Sequence, residues 1–186
     1  MKSIVLLFFS VTMSCNLTWA QLDSTRINTA VDTVGNSGLI MRQSFETEAP
    51  IDMVWAAYTT KKGWESWAVP LAEVDLKING AIKTNYNPQG QIGDSATIVL
   101  HILNFIPQKL ITLQAGITNN FPQFMQDEAD DFYNIITFEK TENGGTKVIS
   151  YGLGYKNEPR YHKMMHFFVK GNEQSLLQLL KYLEGE

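Results

Sequence analysis

Cysteine is almost missing from this 186-residue chain: there is one, Cys15, and it lies close to the N-terminus. The rest of the chain therefore has no disulfide, no thiolate metal site and no cysteine nucleophile. Its stability must come from an ordinary packed core, which about 150 residues suffice to build. Basic runs are also missing. Lys and Arg total 15 against 19 Asp and Glu, for a formal net charge of −4. Without a basic patch there is no electrostatic footprint for nucleic acid, nor for an anionic lipid surface. The apolar run "IVLLFFSV", Ile4–Val11, is eight residues long, well short of the roughly 20 that span a bilayer as a helix. No GxSxG, Gly-rich phosphate loop, HExxH or paired-carboxylate pattern is present, which removes the catalytic classes that such motifs mark. An enzyme of the cyclase or dehydratase kind carries no such signature, since it needs only one or two acid/base groups in a cavity.

What is present begins with a leader. Met1-Lys2 makes a short positive start, the apolar run follows, and Thr18-Trp19-Ala20 places small residues at −3 and −1 before Gln21. This is the pattern of a secretory signal peptide over residues 1–20, with cleavage after Ala20 and a periplasmic or secreted destination. A second reading has Cys15 lipidated as the first mature residue. Ser14 suits that reading and Thr12 and Met13 do not; it would anchor the protein without making it span the membrane. Residues 21–37, "QLDSTRINTAVDTVGNS", are polar and lack clear periodicity, and they read as a flexible lead. The folded domain is expected over residues 38–186.

Within it, Leu39, Met41 and Phe45 alternate in a first strand over residues 39–48. Pro50 suits the first turn of a helix, where its missing N–H costs nothing, and Asp52 complements the dipole there. Ile51, Val54, Trp55 and Tyr58 fall at i, i+3, i+4 and i+7. A second short helix follows at 61–67. Strand-like runs come next at 73–78, 81–86, 95–103 and 109–115, separated by Asn79-Gly80, "NPQGQIGD" and Pro107. The stretch "TNNFPQFMQDEADD" is a long loop, a length that often carries function. Runs at 132–139 and 146–155 flank the hairpin signal "TENGG". A long helix over 159–184 carries Met165, Val169, Asn172, Leu176, Leu179 and Leu183 on one stripe. The stripe must be buried, and the seven strands are its only large partner. The expected class is α+β: a curved antiparallel seven-stranded sheet wrapped around the C-terminal helix, with two short helices after the first strand.

Four pieces in this order carry a family resemblance: Ala49-Pro50, Val54-Trp55, Thr59-Thr60 and Trp67; "VDLKING" at 74–80; "ILNFIPQKLITL" at 102–113; and "GGTKVIS" at 144–150. Together they resemble the SRPBCC, START-like or helix-grip superfamily, and within it the group named for the activator of heat-shock protein 90 ATPase. The resemblance covers residues 38–186. One departure stands out: where the family commonly has Gly-Trp before the spaced leucines of the last helix, this chain has Gly171-Asn172.

The resemblance implies an apolar cavity between helix and sheet whose occupant is a hydrophobic small molecule, lipid-like or polyketide-like. It also implies two other uses of the fold, a cavity enzyme and a protein-interaction module of the co-chaperone kind. Export would separate the protein from cytoplasmic chaperones and their ATP, which favours the binder. Trp64 and Trp67 either pack the short helices or face a ligand, because the second short helix borders the cavity mouth in this fold. Phe121, Phe124 and Met125 are apolar residues on a polar loop and form either a lid or an ordinary cap on the core. Asn172, at the centre of the apolar stripe, is either satisfied locally or a polar anchor for a ligand beside Met165. Tyr133, Tyr151 and Tyr155 carry hydroxyls whose strand face depends on register. His101 alternates with Val99 and Leu103, so it is either structural or a cavity acid/base. His162 and His166, at i and i+4, form at most half a metal site. "DEADD", residues 127–131, lacks the Gly and closing Glu of a calcium loop. No metal and no cofactor is implied.

Overall fold

The computed structural model of the protein describes residues 26–35, 37–119 and 121–186. The leader over 1–20 and Cys15 lie outside the described residues. No described helix is long and apolar enough to cross a membrane.

The sheet has eight strands rather than the seven expected, all antiparallel neighbours, in the order β1-β2-β8-β7-β6-β5-β4-β3. They are β1 (Asn28–Val34), β2 (Gly38–Thr47), β3 (Leu71–Val74), β4 (Ala81–Asn85), β5 (Ile98–Ile106), β6 (Leu110–Ala115), β7 (Tyr133–Lys140) and β8 (Thr146–Lys156). The additional strand is β1, and it falls in the segment read as a flexible lead. A turn with Gly35 at φ +60 folds it back onto β2, where it pairs in continuous register from Asn28↔Ser44 to Val34↔Gly38. Its polar, largely exposed sequence is that of an edge strand, one face of which meets no core. Strands β3 and β5 are displaced by about three residues from their expected positions because two turns are held by side chains and backbone geometry rather than by composition. Asn79 at φ 61 turns the chain after β3. Before β5, Asp94 accepts from the Gln91 and Ala96 amides and from Asn85 Nδ2.

Helix α1 (Ile51–Thr59) starts after Pro50, and α2 (Lys61–Trp67) follows at once. Thr60 separates them; its hydroxyl oxygen accepts from the Gly63 amide at 2.9 Å, an N-cap that starts the second helix. Within the expected long loop lie a short helix, α3 (Gln123–Asp127), and a 3-10 turn over Ala129–Asp131. The C-terminal helix α4 runs from Pro159 to Glu184, with Gly185 in the left-handed conformation at its end.

Helix α4 does not bury one continuous stripe. Its C-terminal half, Leu176, Leu177, Leu179, Leu180 and Leu183, enters a large core with Phe45, Val54, Tyr58, Ile82, Ile102, Ile111 and Phe138. Its first turns, Tyr161, Met164 and Met165, enter a second core with Leu39, Met41, Met125, Phe132 and Tyr155. Between them Phe168, Val169 and Asn172 are only half-buried. The space where helix and sheet part is the feature that the rest of the fold positions.

Candidate functional site

A cavity of about 320 Å³ occupies that gap. The sheet supplies its floor through Met41 and Gln43 of β2, Leu113 and Ala115 of β6, Asn134 and Ile136 of β7, and Ser150 and Gly152 of β8. Helix α4 supplies Phe168, Asn172, Ser175 and Leu176. Tyr58, Trp64 and Trp67 of the short helices and Phe121 and Met125 of the 117–131 segment complete the wall.

The two indoles are held by their own ring nitrogens. Trp64 Nε1 donates to the Tyr58 carbonyl at 2.8 Å and Trp67 Nε1 to the Ala57 carbonyl at 3.0 Å, so both capture carbonyls that the end of α1 leaves free. Their rings lie 5.2 Å apart, and Trp67 meets Tyr58 edge-on at 5.8 Å. Asn172 takes the position where the related pattern has Trp; its small side chain leaves space that an indole would fill.

Among the described residues, two buried polar atoms lack a hydrogen-bond partner, and both belong to residues of the wall: Gln43 Oε1 and the Tyr58 hydroxyl. Gln43 is 1 % exposed and Tyr58 4 %, and neither atom has surface open to water in the cavity or outside it. Such an orphan costs about 1–3 kcal/mol and calls for an explanation. Burial pushes the Tyr58 phenol well above its usual range, so it stays a neutral hydroxyl, able to donate or accept. Burial likewise raises Tyr155, another lining residue, to about 12.

Of the residues singled out in the sequence, Trp64, Trp67, Phe121, Met125, Tyr133, Tyr155 and Asn172 line the cavity. His101, Met165 and Phe124 do not. His101 is exposed, because the buried face of β5 there is that of Ile102. Met165 is buried in the second core, one helical turn above the gap. Phe124 is half-buried against the second core, packing on Tyr161 with ring centroids 5.1 Å apart and under the Arg160 guanidinium. His162 is exposed and bonded to Asn157 Oδ1 at 2.8 Å. No group of three or more His, Cys, Asp or Glu among the described residues is placed to hold a metal ion. Gln43 and Tyr58 were not singled out as ligand contacts. The available signal was that Gln43 shares the strand face of Leu39, Met41 and Phe45, a polar residue at a core position.

Glu128, within "DEADD", has a use that composition does not show. It accepts from Lys156 Nζ at 2.7 Å and from the Tyr161 hydroxyl, tying the segment that carries Phe121 and Met125 to β8 and α4. The Lys156 hydrogen bond, followed by that of Tyr161, holds the Glu128 carboxyl below its ordinary range. A depressed folded-state pKa contributes stability in full above the unfolded value, near 4.3 for Glu, and that contribution is lost as pH falls through the folded value. Hydrogen-exchange protection across residues 121–131 should therefore fall as pH drops below about 4. In Glu128→Gln, protection should be low already at neutral pH and should change little with acid. Equal protection in both proteins from neutral pH to acid would show that this contact does not hold the segment.

The family described as "Activator of Hsp90 ATPase homolog 1-like protein" matches residues 48–184. The chain belongs to this family. No curated protein matches the sequence. Among solved structures, CalU16 from Micromonospora echinospora is 18% identical with a TM-score of 0.61, the match covering 86% of this chain and 84% of that one. The Aha1 dimer from Colwellia psychrerythraea is 17% identical with a TM-score of 0.58, covering 78% and 96%. Protein MLL2253 from Mesorhizobium loti is 15% identical with a TM-score of 0.59, covering 78% and 96%. At these identities the likeness is one of fold. The family match begins at Glu48, so β1 and β2, which carries Gln43, lie before it.

Proposed function

We propose that this family member is an exported protein that binds a mostly apolar small molecule, lipid-like or polyketide-like, in the cavity between its sheet and α4. The observation that supports this most is the cavity itself, which lies between sheet and α4 and is lined mainly by apolar and aromatic side chains with a few neutral polar groups such as Asn134, Ser150 and Asn172. A volume of about 320 Å³ is at the small end for ligand sites, which run from about 300 to 1,000 Å³. At about 30 Å³ for a water-sized group, it has room for about ten non-hydrogen atoms. Export is supported by the charged start, apolar run and Thr18-Trp19-Ala20 of the leader. The enzyme reading loses its best candidate because His101 lies outside the cavity.

Native mass spectrometry of the protein purified from its own compartment tests this reading. The expected spectrum shows a mature chain starting at Gln21 with a non-covalently retained small molecule. A protein that carries nothing and takes up none of a panel of apolar ligands would refute the binding function. An intact Met1 on cytoplasmic protein would refute export and favour a co-chaperone role.

A further inference from the structure

Resting on the reading of the cavity as a binding site, we infer that the site selects by charge. The part of the ligand that it encloses is uncharged and meets the Asn172 amide, and both anions and cations are excluded. Three observations carry this. First, among the described residues no Asp, Glu, Lys, Arg or His lines the cavity. Lys156, next in the chain to the lining Tyr155, is not in the wall and pairs with Glu128 at 2.7 Å. A carboxylate or phosphate brought inside would lose its hydration without meeting a cation, and an ammonium would meet no carboxylate. Second, the deepest hydroxyls of the wall supply no counter-ion either. Burial raises Tyr155 to about 12 and Tyr58 further, so both are neutral phenols at neutral pH.

Third, the polar group that the wall leaves available is a neutral one. Asn172 lines the cavity from α4 beside Phe168 and Leu176. It is half-buried, and its amide has no hydrogen-bond partner among the described residues. Gln43, by contrast, serves the fold: its Nε2 donates to the Val169 carbonyl at 3.2 Å and its Oε1 is sealed. A primary amide offers two donor hydrogens and an acceptor oxygen, which suits a hydroxyl, a carbonyl or another amide. One amide dipole does not replace the hydration shell of an ion. A charged group keeps its water only beyond the rim, where Tyr86 and Ile98 are exposed.

The test uses three compact probes with one ring system and three charges: 2-naphthol, 2-naphthoate and 2-naphthylmethylammonium, titrated at pH 7.5 by calorimetry. The wild type should bind 2-naphthol about tenfold or more tighter than either ion. Asn172→Asp, nearly the same shape with a negative charge, should strengthen the ammonium about tenfold and weaken naphthoate further. Asn172→Lys should do the reverse. Opposite shifts from one position are not what a loss of packing would produce, and if the Lys variant does not fold, the Asp variant alone reads the sign. If either ion binds the wild type as tightly as naphthol, charge selection is overturned while the cavity remains a binding site. If the variants fold and leave the order of the three probes unchanged, Asn172 does not meet the ligand and that assignment is overturned. Should none of the three bind the wild type, the binding reading fails, and this inference with it.

Discussion

Replacing Phe138 by Ala is expected to cost about 3–5 kcal/mol of folding stability, a third or more of what a domain of this size usually has. Phe138 is 1 % exposed on β7. It receives Trp55 edge-on at 5.4 Å and Tyr58 at 5.4 Å, so one ring seats α1 against the sheet. Truncation removes the apolar area and leaves a void that helices tied at both ends cannot collapse into. The same change loosens Tyr58, which lines the cavity, so ligand affinity should fall as well. Urea unfolding measures the first effect. Phe167→Ala is the control: that ring is 71 % exposed, and its loss should change stability by no more than about 0.5 kcal/mol. Comparable small losses at both positions would mean that α1 is not held by this aromatic contact.

Gly63→Ala is the second large effect, and its sign separates packing from propensity. Helix propensity alone would have Ala stabilise α2 by about 1 kcal/mol. The structure demands the opposite. A methyl group at Gly63 would stand 2.3 Å from the Ala56 carbonyl oxygen, 2.6 Å from that of Ala57 and 2.7 Å from the Ala57 Cα. All three are backbone atoms and have no rotamer in which to retreat. The two short helices must separate, and the hydrogen bonds from Trp64 and Trp67 to α1 stretch with them. Overpacking and two weakened hydrogen bonds together should destabilise by about 3 kcal/mol and displace the indoles from the cavity mouth. Gly171→Ala gives the contrast. Among the described residues nothing lies within 4 Å of a Cβ at that position, so the same substitution in α4 should stabilise by up to about 1 kcal/mol. Stabilisation at both glycines would contradict the close approach of α1 and α2.

The elements legible in the sequence were those with strong local signals. Pro50 marks the start of the first short helix, and the leucine stripe marks α4. Strand β1 was not legible, because an edge strand with little to bury has no periodicity to show; what makes it a strand is its pairing with β2. Strand β5 was displaced because the ordering of the preceding turn depends on Asp94 meeting Asn85, a contact between residues that no composition rule links.

The site divides the same way. Trp64 and Trp67 could be placed near the cavity only through the family resemblance, which puts the second short helix at its mouth. Asn172 could be noticed because it interrupts an apolar stripe. Met165 shares that stripe yet lies outside the cavity, since helical phase says which face a residue takes and not how far the helix stands off the sheet. His101 failed for a related reason: alternation gives two faces, and only the observed register, Ala81↔His101 beside Ile82↔Leu100, says which is inside. Gln43 was visible as a polar residue among Leu39, Met41 and Phe45, but its meaning required the partners of its nitrogen.

The most direct test of a ligand-holding cavity is a crystal structure of the protein grown with saturating 2-naphthol. Density for the naphthol ring should lie between the sheet and α4, near Trp64 and Trp67. A structure in which the cavity is empty or filled by the protein's own side chains, with naphthol absent or on the outer surface, would contradict the account.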